Sequence, residues 1–197
     1  MVKTVISSAR RRFLALCAAL GLKGLFRSTL SSAEESEDFT ILGKDDSLHI
    51  GENKRELIRK AYRIGRDYED RHGGCCRCTV GALQDALDFV PNDKDLLRAA
   101  SCLDGGATPT KLANCGSFTG SGMIIGYLTG DDSYGDTGLS HSLIKKLHKR
   151  YEDVYGGVLC NDVRKAARGN CDEVVGLAAQ WTTGIILDRF AEETGAG

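Results

Sequence analysis

Residues 54–68 read Lys54-Arg55-Glu56-Leu57-Ile58-Arg59-Lys60-Ala61-Tyr62-Arg63-Ile64-Gly65-Arg66-Asp67-Tyr68. Leu57, Ile58, Ala61, Ile64, Gly65 and Tyr68 recur at intervals of three and four, with Arg and Asp opposite them. That is the period of a helix burying one face. Gly73-Gly74 ends it, because glycine accepts the left-handed backbone that closes a helix.

The same period continues along the chain. A second helix is predicted from Thr79 to Val90, stopped by Pro91-Asn92, and a short one from Asp95 to about Cys102. Leu103 to Asn114, with Gly105-Gly106 and Pro109, reads as a loop. In 116–128, Gly116, Gly120, Gly122 and Gly126 alternate with Phe118, Met123, Ile124 and Ile125. Small residues four apart let a second backbone come close, so a tightly packed helix is expected. After a polar loop, Leu139 to Tyr155 is amphipathic through Leu143, Ile144, Leu147, Tyr151 and Val154, and Gly156-Gly157 closes it. A short helix near Asp162–Arg168 and a long one near Asp172–Phe190 complete the chain; Val174, Val175, Ala178, Trp181 and Ile185 mark the buried face of the last. No pair of strand-like segments interrupts the series. The fold class is all-α, a bundle of about five to seven helices with close packing at glycines.

The composition agrees. The chain has 197 residues, 42% hydrophobic and 27% charged, which suits one globular domain. No apolar run reaches the ~18–20 residues of a spanning helix, so no membrane span is expected in the mature chain. The net charge of −1 conceals an asymmetry. Residues 1–33 hold Lys3, Arg10, Arg11, Arg12, Lys23 and Arg27 and no acid; the remainder has 20 bases against 27 acids. An acidic body argues against nucleic acid as a partner.

Ala9-Arg10-Arg11-Arg12-Phe13-Leu14-Ala15 precedes the apolar stretch Leu16 to Leu22. A charged region before a short apolar one is the pattern of a signal peptide. The Arg-Arg-x-Phe-Leu order resembles the twin-arginine export signal, which implies a periplasmic or otherwise extracytoplasmic protein exported already folded. Residues 1–33 are thus expected to form the signal, with cleavage after Ser31-Ser32-Ala33. Residues 34–53 read as a polar linker or loosely attached arm, and 54–193 as a cysteine-containing helical domain.

Eight cysteines are many for a chain of this size. Cys17 lies in the signal. Cys78, Cys115, Cys160 and Cys171 each stand next to the predicted start of a helix, where free N–H groups and the positive end of the helix dipole favour a thiolate. Thiolates converging from helix starts suit a metal, an iron–sulfur cluster or a reactive dithiol. Cys75, Cys76 and Cys102 remain as possible redox or disulfide residues.

Cys115-Gly116-Ser117-Phe118-Thr119-Gly120 resembles the Cys-Gly-Ala-x-x-Gly motif of the C_GCAxxG_C_C family of redox-active proteins, which has four characteristic cysteines. On this resemblance the upstream cysteine maps onto Cys78 and the two downstream ones onto Cys160 and Cys171. Gly105-Gly106 fits as well, and the likeness spans about Ile58 to Leu187. Ser117 departs from it, standing where Ala is usual. Split-Soret cytochromes c are similar in pattern. The analogous cysteines there imply an iron–sulfur cluster at Cys78, Cys115, Cys160 and Cys171. An electron carrier or partner subunit is implied rather than a self-contained enzyme, with a redox partner protein and a possible homodimer.

Covalent haem is not expected. Cys75-Cys76-Arg77-Cys78 has the spacing, but Thr79 stands where the histidine must be, and none of His49, His72, His141 or His148 follows a cysteine. Two further chemistries stay open on the same sulfurs. Cys75 and Cys78 form a Cys-x-x-Cys that suits thiol–disulfide exchange. Structural zinc, or disulfides stapling the bundle, with Cys75 or Cys76 paired to Cys102, is the other.

Overall fold

In the computed structural model, residues 41–50 and 52–192 are described. Among them are seven α-helices and no strand: α1 (Lys54–His72), α2 (Cys75–Ala86), α3 (Lys94–Ala99), α4 (Gly116–Thr129), α5 (Gly138–Tyr155), α6 (Cys160–Ala166) and α7 (Cys171–Phe190). A 3₁₀ turn, Ala100–Cys102, follows α3. The all-α bundle expected from the helical period is what forms. The segment with Arg10, Arg11 and Cys17 lies outside the described residues.

Helix α1 starts at Asn53, whose side chain accepts the Arg55 N–H, and ends at Gly73, which takes φ 63°. It packs along α7 in the most extensive helix pair of the fold. The approach is close because both helices present glycine. A Cβ on Gly65 would lie 3.1 Å from the Val175 carbonyl, and one on Gly176 would lie 2.5 Å from Arg66 Cγ. At the edge of this pair Arg66 binds Asp172 at 2.8 Å and Tyr62 donates to Glu173 at 2.7 Å.

Helix α2 begins four residues before the expected Thr79 and ends at Ala86 instead of Val90. Its start is hidden in the sequence because the cap is remote. The Asp104 carboxylate accepts the Cys76 N–H at 2.6 Å, so an acid 28 positions away satisfies the first turn and complements the helix dipole. At the other end Gln84 donates to the carbonyls of Pro91 and Asp93, both at 3.0 Å, which turns the chain back before Asp93 caps α3.

Helix α4 lies against α2, and the glycine spacing read from the sequence explains half of that contact. A Cβ on Gly116 would sit 2.5 Å from Cys75 Sγ, and one on Gly120 would sit 2.6 Å from the Cys76 carbonyl. Gly122 meets only the tip of Ile144, and Gly126 meets nothing within 4 Å. Leu83, Leu87, Ile124, Ile125, Leu128, Leu143, Leu147, Ile186, Leu187 and Phe190 fill the core between α2, α4, α5 and α7.

Read as a polar linker, the described part of 34–53 runs docked along the bundle. Leu42 N–H donates to Leu128 O at 2.7 Å, and Leu48 N–H to Phe190 O at 2.6 Å. Glu192 N–H returns to Leu48 O at 3.2 Å, and Lys44 pairs with Asp136 at 2.8 Å. These backbone bonds give an otherwise polar segment its place.

Candidate functional site: a cavity lined by four cysteines

Four cysteines line one cavity of about 210 Å³: Cys75, Cys115, Cys160 and Cys171. Each stands at a helix start. Cys75, Cys160 and Cys171 are the first residues of α2, α6 and α7, and Cys115 is the N-cap of α4. Of the helix-start N–H groups, those of Ser117 and Phe118 point to the Cys115 sulfur, and the positive ends of the helix dipoles face the cavity. Glu69, Asp104 and Arg164 contribute charge to the wall, and Val163 and Val174 contribute apolar surface.

Two chain segments hold the cavity closed on one side. Residues 111–115 and 158–161 run antiparallel as a short clasp, with Cys115 N–H bound to Val158 O at 2.7 Å and Cys160 N–H to Ala113 O at 2.9 Å. Gly106, at φ 64°, has no room for a side chain, because a Cβ there would lie 2.6 Å from Cys160 Cβ. This is the physical requirement behind the glycine pair upstream of the Cys-Gly motif.

Cys75 and Cys115 interact sulfur to sulfur, and their acidities diverge. Cys115 is held below the ordinary thiol range, first by the Cys75 thiol facing it, then by the Ser117 hydroxyl and the Ser117 and Phe118 N–H groups. Cys75 is pushed up, first by the Cys115 sulfur and then by burial. Cys115 is thus the first of the pair to ionise. Burial also raises Cys160 and Cys171.

Ser117 is fully buried. Its hydroxyl lies 3.2 Å from Cys115 Sγ and 2.7 Å from Tyr151 Oη, so it bridges the sulfur to a buried phenol. Tyr151 in turn packs among Phe118, Tyr155 and Trp181 with ring centroids 5.3–5.5 Å away. The Ser117 hydroxyl thus links the Cys115 sulfur to this aromatic wall, a bridge that a side chain without a hydroxyl would not make.

Cys78 lies elsewhere. Because α2 starts at Cys75, Cys78 is one turn in. Its thiol donates to the carbonyls of Gly73 at 3.1 Å and Tyr68 at 3.4 Å. It faces a second cavity with Tyr68, His72 and Arg77, and burial raises it to about 12. Cys75 occupies the position in the four-cysteine cavity that the motif reading assigned to Cys78. The sequence offered only the Gly73-Gly74 break before Cys75, since the residue that caps α2, Asp104, lies 28 positions away.

Cys76 is fully buried, with its sulfur 3.9 Å from Met123 Sδ, and Cys102 is exposed at the end of the 3₁₀ turn. All seven described cysteines are free thiols, so neither Cys75 nor Cys76 is joined to Cys102. No histidine lines the four-cysteine cavity. His49 pairs with Glu192 and His148 with Glu152, both at exposed positions. Glu69 and Asp104, which the sequence did not single out, are brought in by the fold. One Glu69 carboxylate oxygen is buried without a hydrogen bond, and burial raises the pKa of the group.

A family model described as "Putative redox-active protein (C_GCAxxG_C_C)" matches residues 73–185, from the glycine before Cys75 to beyond Cys171. The chain belongs to the C_GCAxxG_C_C family. No curated protein and no solved structure matches it. The match contains all four cavity cysteines and the Gly116 and Gly120 contacts that seat α4 on α2. Membership places the chain in a family described by its redox-active character and its cysteine motif. The four-cysteine cavity is the place where the family motif, the helix starts and the acidified thiol coincide. No helix among the described residues is long and apolar enough to cross a membrane.

Proposed function

We propose that this C_GCAxxG_C_C protein holds an iron–sulfur cluster on Cys75, Cys115, Cys160 and Cys171 and works as an electron carrier or partner subunit of a redox system. The observation supporting it is four thiols on four separate helix starts, all lining one cavity. The donor set suits such a group, since Cys₄ ligation serves both common cluster types. Among the described residues, no three Cys, His, Asp or Glu side chains close around one point as the ligands of a single ion do. Four thiols lining one cavity would suit a body of several atoms, held by Cys75, Cys115, Cys160 and Cys171.

When bound, the cluster would supply one-electron chemistry. The chain's own residues do the rest. The Ser117 and Phe118 N–H groups offset negative charge on Cys115, the Gly105 N–H does so on Cys75, and the helix dipoles act on all four. Arg164 adds a positive charge beside Cys160 and Cys171. Val163 and Val174 keep water from part of the wall. Ligation requires thiolates, so Cys115 is ready first, and the raised Cys75, Cys160 and Cys171 make loading more favourable as pH rises. Anaerobic reconstitution followed by iron and sulfide analysis and an absorption spectrum tests the reading. Iron and labile sulfide in similar amounts, with a brown protein, are expected. A colourless protein after reconstitution, or one that retains zinc alone, would overturn it.

The Cys75–Cys115 contact favours a second reading, a dithiol that loses two electrons and two protons to an acceptor disulfide and closes a Cys75–Cys115 bond. It uses a pair different from Cys75 and Cys78. Under it, Cys160→Ser and Cys171→Ser would keep thiol–disulfide exchange, whereas the cluster reading requires all four sulfurs. We also propose export by the twin-arginine route to an extracytoplasmic compartment. The Arg10-Arg11-Arg12-Phe13-Leu14 order before a short apolar stretch supports this.

A further inference from the structure

The clasp that closes the cavity carries an unusual piece of surface. Leu112 is 79% exposed and Leu159 is 45% exposed, both large apolar side chains in water. They sit on facing arms: Asn161 N–H binds Lys111 O at 3.1 Å, Cys160 N–H binds Ala113 O at 2.9 Å, and Asn114 bridges Leu159. The ridge they form is therefore built from the same two segments that present Cys115 and Cys160 to the cavity. It is the outside of the cavity wall. An exposed apolar ridge has a free-energy cost in a soluble fold unless something covers it.

Charge separates this surface from the rest of the chain. Residues 105–114 and 158–170 hold Lys111, Arg164, Lys165 and Arg168 against one acid, Asp162. All four cations are exposed, and none is ion-paired with a carboxylate among the described residues. Lys111 adjoins Leu112 in the clasp, its carbonyl bound by the Asn161 N–H, while Arg164 lines the cavity side of the same segment. Outside residues 1–33 the chain carries 27 acids against 20 bases, so a local excess of bases stands on an acidic body. Such a patch attracts an acidic face and repels a basic one, and steering of this kind mainly raises association rate and specificity.

We propose that the Leu112–Leu159 ridge with its rim of Lys111, Lys165 and Arg168 is the docking surface for a small electron-transfer protein that has an acidic face. The proposal rests on the redox reading of the four-cysteine cavity, since the ridge brings a partner against the wall behind Cys160. Redox encounters use small, weak interfaces, below about 1,200 Å² in total, so two exposed leucines and a charged rim suffice. An anionic membrane or a second copy of this chain, itself acidic, could also meet a basic apolar patch. Neither would account for its position over the cysteines.

Binding separates these cases, and it is measured independently of cluster content. The reconstituted protein is titrated calorimetrically with a strongly acidic plant-type ferredoxin and, separately, with a basic cytochrome c. Binding of the ferredoxin alone is expected, weakening about tenfold between low and physiological ionic strength. Leu112→Ser, and Lys165→Glu combined with Arg168→Glu, should each weaken it about tenfold or more. Spectrum, iron content and melting temperature should be unchanged, because none of the three residues lines the cavity. Failure to bind the ferredoxin, equal binding of both carriers, or variants without effect would overturn the proposal. So would uptake by phosphatidylglycerol vesicles that Leu112→Ser abolishes, or self-association that the charge reversal abolishes. Loss of iron from the wild-type protein would instead count against the cluster reading, so the two failures are distinguishable.

Discussion

Replacing Gly116 with alanine tests whether the Cys-Gly motif is a packing requirement of the cysteine site. The added Cβ would lie 2.5 Å from Cys75 Sγ, 2.9 Å from Cys76 N and 3.1 Å from Leu103 O. Two of these neighbours are backbone, and the Cys76 nitrogen is held by Asp104 at 2.6 Å, so relief by side-chain rotation is not enough. Overpacking of this kind costs about 1–3 kcal/mol. The gain from alanine in a helix is at most ~1 kcal/mol and smaller at a helix start. The net effect should be a loss of about 1–2 kcal/mol, or several degrees in Tm for a domain of this size. Gly126→Ala, in the same helix, meets nothing within 4 Å. It should gain up to about 1 kcal/mol, moving Tm up by ~2–4 °C. Thermal and urea unfolding of the reduced, cluster-free proteins compares them. In a Cys75→Ala background the Gly116→Ala penalty should shrink without vanishing, because the sulfur clash goes and the clash with Cys76 N stays. A Gly116→Ala protein as stable as the wild type, or two variants shifting in the same direction, would refute the argument.

Other outcomes follow from the same geometry. Cys75→Ser, Cys115→Ser, Cys160→Ser and Cys171→Ser should each abolish or shift the cluster spectrum, while Cys78→Ser and Cys102→Ser should leave it; a reconstituted protein that needs Cys78 and not Cys75 would reverse the assignment. Burial raises Glu69 above its ordinary 4.5, so its protonated form is favoured in the fold. Stability from this group is complete below the unfolded value and is lost as pH rises through the folded one, and Glu69→Gln should flatten that part of a urea-unfolding pH series. On the export reading, Arg10→Lys with Arg11→Lys keeps the charge but removes the guanidinium pair; fractionation should find precursor in the cytoplasm, and normal export would contradict the twin-arginine proposal.

Most of the helices were legible because their signals are local. The three- and four-residue period of Leu57, Ala61, Gly65 and Tyr68, or of Leu139, Leu143 and Leu147, is a property of adjacent turns, and the glycine pairs at 73–74 and 156–157 close the helices before them. The cysteines at 115, 160 and 171 were legible for the same reason, each beside a readable helix start. The start of α2 was not, because the group that caps it, Asp104, is 28 residues away and belongs to another loop. That error of four residues moved the helix-start criterion from Cys75 to Cys78. The clasp between 111–115 and 158–161, the bridge from Cys115 through Ser117 to Tyr151, and the docking of 41–50 on α4 and α7 were also beyond local reading.

The sequence by itself determined that this is an all-α chain of a redox-active cysteine family, since periodicity, glycine punctuation and a contiguous Cys-Gly motif are all short-range. Only the tertiary structure decided which four sulfurs share a cavity. Four residues spread from 75 to 171 meet only when α2, α4, α6 and α7 are packed. Which way a thiol faces depends on where its helix begins, and here a distant carboxylate sets that beginning.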